Sequence, residues 1–175
     1  MAGMESAMDM NATPHLDMSV NTTGCCPKFD PEGWDGQELH FDNKPFLRAT
    51  TRSVLHVPVN MGKVFARVQD HIEASDAMIP EGYLVLSSDL TPWTGEHLFA
   101  VSGEVEGEEM TTLSGDFITK VFEGPYREAR HWHDEMAELV RARGKEPRRI
   151  FFFYTTCPKC AKAYGKNYVT GIAEI

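Results

Sequence analysis

At 175 residues, with 42% apolar and 25% charged side chains, the chain is one domain or two small fused halves, with enough apolar side chains for a real core. Its net charge of -9 would repel a nucleic-acid backbone, because the basic residues form only the short clusters Arg141–Arg143–Lys145 and Arg148–Arg149. No apolar run reaches the ~18 residues of a membrane span, and the N-terminus lacks the basic-then-apolar order of an export signal, so no nucleic-acid or membrane partner is expected and the chain reads as cytoplasmic.

Residues 1–24 are small, polar and Met-rich with little periodicity, and read as a disordered tail. Residues 25–46 carry Pro27, Pro31, Gly33 and Gly36 and read as an irregular entry segment. Leu47 to Val59 is extended in character, rich in Thr and Val. Met61, Val64, Phe65, Val68 and Ile72 fall on one face at helical spacing, so a helix is expected over Met61 to Ala77 with Asn60 as its N-cap. A short buried strand is expected over Tyr83 to Leu86, a loop over Ser87 to Glu96 and a strand over His97 to Val105.

A second pass of the same kind follows. Met110 to Phe122 is extended, Gly124-Pro125-Tyr126 turns the chain, and Arg127 to Arg143 is a helix with Ala129, Trp132, Met136, Leu139 and Val140 on its apolar face. Gly144 is its expected stop. Ile150 to Tyr154 is a very apolar strand, and Asn167 to Ile175 is the last. The two passes superpose with a constant shift of 67 residues, which lays Pro58 on Pro125, Phe65 on Trp132 and Leu84–Leu86 on Phe151–Phe153. The expected fold is therefore α+β, with two tandem strand–helix–strand–strand modules, about 47–105 and 110–175, related by a pseudo-twofold axis. One such unit leaves a face uncovered, and two can cover each other and leave a ligand cleft between the modules.

Two carboxylates suit such a cleft. Glu123 sits where strand meets turn, and Glu135 lies at the edge of the second helix's apolar arc, where partial desolvation would make it a candidate base. Trp93, Tyr126, Trp132, Tyr154, Tyr164 and Tyr168 are candidate aromatic walls. Each of these rings also has an ordinary reading as core, and each carboxylate as a solvated rim group.

The segments Lys120-Val121-Phe122-Glu123-Gly124-Pro125-Tyr126 and Phe153 to Lys162 resemble the GyrI-like small-molecule-binding family, in a stand-alone, hydrolase-like branch, over roughly Leu47 to Ile175. The resemblance implies tandem modules around a pocket for aromatic, often cationic or electrophilic ligands. Some relatives open cyclopropane rings with acidic and aromatic residues, and others are sensor halves of transcription regulators. No helix-turn-helix is recognisable ahead of the domain, which favours an enzyme or binder. The first turn, Val57-Pro58-Val59, departs from Gly-Pro-Tyr, which directs chemistry to the second.

Cys25, Cys26, Cys157 and Cys160 raise a metal question. Cys157-Pro158-Lys159-Cys160 has zinc-hook spacing, although the adjacent Cys25–Cys26 pair is awkward as a ligand set, and reduced thiols are the plainer reading. A thioredoxin-type role is disfavoured because only one strand follows the motif. His131 and His133 point about 200° apart on a helix, and His56, His71 and His97 lack ligand spacing. No cofactor is required on this reading, with zinc as the open alternative.

The functional expectation is a detoxifying hydrolase of small electrophilic or aromatic compounds, cyclopropanoids among them. In it Glu135 or Glu123 activates water, Tyr126 or Tyr154 donates to the oxyanion, and Trp93, Trp132 and Tyr168 are among the rings that wall the ligand. The alternatives are a non-catalytic binder of aromatic cations and a zinc-stabilised structural protein.

Overall fold

The computed structural model describes residues 10–14, 29, 31–79, 82–155 and 167–175. Strand β1 (Glu38–Val54) turns into the short β2 (Val57–Pro58), then come α1 (Met61–Ala74), β3 (Val85–Thr91), β4 (Thr94–Ala100) and β5 (Glu109–Glu123). A 3-10 turn at Tyr126–Glu128 leads into α2 (Ala129–Ala142), followed by β6 (Ile150–Tyr154) and β7 (Tyr168–Glu174). No described helix is long and apolar enough to cross a membrane.

All strand pairings are antiparallel. The sequence of neighbours runs β1, β4, β3, β6, β7, β5 and back to β1, so the six longer strands close into a barrel with β2 outside on β1. Closure gives these six strands a neighbour on both sides. The protein is a mixed α+β domain, mostly antiparallel sheet with two helices.

Alternation along the strands sorts side chains to two faces. The inner face gathers Leu39, Phe41, Phe46, Leu84, Leu86, Leu98, Leu113, Phe117, Phe151, Phe153 and Ile172, joined by Phe29 and Trp34 from ahead of β1. The outer face is covered twice. Val64, Val68 and Ile72 of α1 pack on Leu47, Ala49, Val85 and Phe99. Trp132, Met136, Ala137 and Val140 of α2 pack on Ile118, Phe122, Ile150, Phe152, Val169 and Ala173. Each helix is thus held by the apolar stripe its sequence spacing shows.

Several expected boundaries move. β1 starts at Glu38, inside the stretch read as irregular entry, and contains a bulge between Phe41 and Lys44. Much of residues 87–96, read as a loop, is the β3–β4 hairpin, turning at Pro92–Trp93. Asn60 holds the N-cap position of α1, but its side-chain oxygen accepts from the Arg52 N–H of β1 at 2.7 Å and so does not cap the helix. Gly144 closes α2 at φ +74°, a conformation that favours glycine.

Ahead of β1, the chain runs beside β5. Gly36 N–H donates to the Thr119 carbonyl at 3.1 Å, Thr119 N–H donates to the Gln37 carbonyl at 2.9 Å, and Val121 N–H donates to Asp35 Oδ1 at 2.9 Å. The Thr119 hydroxyl donates to the Trp34 carbonyl. This ladder sets the Trp34 indole against the inner wall, 5.3 Å from Phe153.

Candidate functional site

The candidate site lies at the barrel end where β5 finishes and β7 begins. Glu123 pairs with Tyr168 across β5 and β7, Val121 with Thr170, and Thr170 with Phe153 across β7 and β6. Directly paired residues share a face. Phe153 belongs to the inner cluster and Val121 and Tyr168 pack against it, so Glu123, Tyr168 and Thr170 all belong to the inner face. Phe153 also meets Trp34, and Tyr83 at 6.0 Å, while Phe29 meets Tyr168 at 5.8 Å. The result is an aromatic wall with a carboxylate at its rim.

The turn beyond Glu123 is fixed from both sides. Gly124 adopts φ +148°, its N–H donates to the Asn167 carbonyl at 3.1 Å, and Asn167 Nδ2 donates to the Gly124 carbonyl at 2.7 Å. Trp132 Cζ2 would lie 3.5 Å from a Cβ at Gly124. The Gly-Pro-Tyr turn is therefore anchored to the start of β7.

Three buried side-chain polar atoms among the described residues have no hydrogen-bond partner: Trp34 Nε1, Asn167 Oδ1 and Thr170 Oγ1. Trp34 is 1% exposed and Thr170 is fully buried. Such groups are normally satisfied, and leaving one unmade costs about 1–3 kcal/mol. All three lie at the Glu123 end. Trp34 and Thr170 both border Phe153, and Asn167 is bonded to the residue after Glu123. They offer an N–H donor, a hydroxyl and a carbonyl acceptor.

The other expected site residues divide between two places. Glu135 is on α2, over the outer face, with its side chain 41% exposed and Oε1 4.0 Å from Lys120 Nζ. The sheet separates it from Glu123, so the two carboxylates do not meet. Tyr126, Trp132 and Tyr154 are also on the α2 side. Trp132 is buried and stacks on Phe122 at 5.4 Å, and Tyr126 meets Tyr154 edge-on at 5.5 Å. Burial pushes the Tyr154 hydroxyl up to about 12, which keeps it protonated at neutral pH. Trp93 is 56% exposed at the β3–β4 turn, the barrel end opposite Glu123. Of the expected rings among the described residues, Tyr168 alone shares the face of Glu123.

The four cysteines and Tyr164 lie outside the described residues. Among the described residues, no group of three or more His, Cys, Asp or Glu could hold a metal ion. His131 and His133 are exposed on α2. His56 pairs with Asp89 at 2.8 Å and His71 with Glu108 at 2.8 Å. His97 is buried beneath α1, with Nδ1 2.7 Å from Ser87 Oγ and Nε2 2.9 Å from Thr51 Oγ1. The Phe65 ring stands edge-on to it at 5.1 Å. A serine–histidine pair suggests a hydrolytic nucleophile, but here both ring nitrogens are engaged within the packing, by Ser87 and Thr51. Burial holds the His97 pKa down to about 4, so the ring is neutral.

Sequence reasoning missed Trp34, Asn167 and Thr170. Trp34 fell within the presumed irregular entry. An available signal was that an indole amid Pro and Gly needs some surface to cover it. Asn167 and Thr170 carry no motif, and only the closed barrel reveals that their polar atoms lack partners.

Two comparisons bear on this arrangement. Residues 16–175 match the model of a family described as bacterial hydrolase. No curated protein matches the chain.

Proposed function

The chain belongs to the bacterial hydrolase family, and from that premise we propose that it hydrolyses a small, largely aromatic electrophile at the Glu123 end of the barrel. The observation that carries the reading is the trio of unpartnered buried atoms, Trp34 Nε1, Asn167 Oδ1 and Thr170 Oγ1, beside an aromatic wall and a carboxylate.

Hydrolysis needs two kinds of polar group near the reacting carbon. Donors must meet the oxygen on which negative charge develops, and an acceptor must take a proton from water. In the proposed step, Trp34 N–H and Thr170 O–H donate to the substrate oxygen on which negative charge develops. Asn167 Oδ1 orients a water, and Glu123 removes its proton as the oxygen–carbon bond forms. The bond to the leaving group then breaks, and Glu123 returns the proton to it, so water is consumed and one bond is cleaved. Phe153, Tyr168 and Tyr83 supply flat apolar contact. A ring-strained ketone, an epoxide and an aryl ester all meet these requirements, and removal of reactive compounds is the matching role. Glu135, Tyr126 and Tyr154 belong to a different surface in this scheme.

The resemblance to GyrI-like proteins fits the same reading. We take the order strand, helix, strand, strand, which occurs once up to β4 and again from β5 to β7, as two related modules, supported by two helices of 14 residues each.

Binding tests the scheme independently of turnover. Aryl amides that resemble the substrate but resist hydrolysis should bind the wild-type protein, and Thr170→Val should weaken them about five- to tenfold, the loss of one buried hydrogen bond. Equal binding by the two proteins would remove Thr170 from the site.

A further inference from the structure

Nine large apolar residues among the described ones are well exposed, and six of them sit together at the barrel end opposite Glu123: Val54, Leu55, Val57, Val59, Leu90 and Trp93, each 50–68% exposed. They belong to two neighbouring hairpin tips. The tips are stitched to each other, because Ser53 N–H donates to the Trp93 carbonyl at 2.8 Å and His56 N–H donates to the Pro92 carbonyl at 2.9 Å. A contiguous patch of this kind exceeds what scattered surface residues explain and marks an interaction surface.

The patch is held in place at a local cost. Leu55 and His56 adopt φ +48° and +69°, left-handed values that Asn and Gly tolerate better. A tight turn can be made without a leucine at its tip. Strain combined with 68% exposure of Leu55 points to a role for that side chain outside the fold.

We propose that this patch is where a second copy of the chain binds, tip against tip. The chain's charge of -9 sets copies to repel each other, yet residues 53–60 and 90–95 contain no Asp, Glu, Lys or Arg. Contact there leaves the acidic bodies of the two barrels apart, where salt screens them within ~10 Å. Six half- to two-thirds-exposed apolar side chains offer several hundred Å², a large part of the ~800 Å² per partner of a stable interface.

The backbone selects the mode of contact. β2 is the outer strand and pairs only with β1 among the described residues. Val59 N–H donates inward to the Arg52 carbonyl at 2.9 Å, so the neighbouring Pro58 faces the open edge with no N–H to give. Continuous sheet extension is thereby blunted. Side-chain contact around a twofold axis remains, and it closes at two copies.

Sedimentation equilibrium of the full chain from low to high micromolar concentration tests this. The wild type should fit a monomer–dimer equilibrium. Leu55→Asn, which suits the left-handed turn, should weaken dimerisation at least tenfold while the melting temperature of dilute protein stays level or rises. Trp93→Ser should weaken it similarly. A wild type that is monomeric throughout, or variants that dimerise as it does, would overturn the proposal. So would a monomeric wild type that floats with phosphatidylcholine vesicles, since the patch would then belong to lipid. None of these outcomes depends on the hydrolytic site.

Discussion

Thr170 carries a hydroxyl that packing has removed from water without giving it a partner. A valine has nearly the same shape and suits a strand, so Thr170→Val should stabilise the protein by about 1 kcal/mol, read by chemical denaturation. The same change is expected to weaken ligand binding. Stability gained where function is lost separates a binding group from a structural one. A loss of stability would mean that the hydroxyl has a partner in the native protein. His97 makes the opposite case, a polar side chain that the fold satisfies fully. Its pKa is held near 4 by burial, whereas in the unfolded chain it titrates near ~6.5. Between those values the unfolded state binds a proton that the native state does not. The stabilising contribution is therefore complete above ~6.5 and is lost as pH falls towards 4, by roughly 3 kcal/mol. Denaturation across that window should show the slope in the wild type, and His97→Gln should flatten it. An unchanged slope in the variant would assign the effect to other groups. Neither residue stood out in the sequence. A lone threonine or histidine carries no spacing, and its role depends on what a distant strand places beside it.

Among the elements, Gly95 shows how closely β1 and β4 approach around His97. A Cβ there would meet Thr51 Oγ1 at 2.6 Å and His97 Nε2 at 3.3 Å. Thr51 is short and bonded to His97, so it has little room to yield. Gly95→Ala should cost about 1–3 kcal/mol by overpacking, seen as a lower melting temperature. A variant as stable as the wild type would show that the Thr51–His97 pair shifts freely. The elements most legible in the sequence were those with a sustained period. α1 and α2 follow their apolar stripes, and β6 is an unbroken apolar run buried by the barrel on one face and α2 on the other. The start of β1 was illegible because the one extra residue of its bulge, where Asp42 and Asn43 together oppose Ser114, breaks the alternation of Leu39 and Phe41 before it reaches Phe46. The β3–β4 hairpin was hidden for another reason. Its strands grow polar towards the tip, where β3 leaves the core and becomes exposed.

On the scale of the molecule, the decisive contact is the pairing of β1 with β5, Leu39 opposite Phe117 and Arg48 opposite Glu109. It closes the barrel and gives the sheet an inside and an outside. Local patterning contains nothing of this, because the paired strands are far apart in the chain. That division explains why the candidate site was only partly legible. Glu123 and Tyr168 were singled out and share the inner face, whereas Tyr126, Trp132 and Glu135, from the adjoining turn and helix, and Tyr154, at the end of β6, lie on the other side of the sheet.

The same division supplies the sharpest test of the account. Wild type, Glu123→Gln and Glu135→Gln would be incubated in ¹⁸O-labelled water with small aryl esters, epoxides and cyclopropyl ketones, and label in the products measured by mass spectrometry. The account predicts that the wild type incorporates label into at least one class, that Glu123→Gln loses about a hundredfold or more of that rate, the usual worth of a general base, and that Glu135→Gln keeps it. No incorporation by the wild type, or a rate that survives Glu123→Gln and falls with Glu135→Gln, would contradict it.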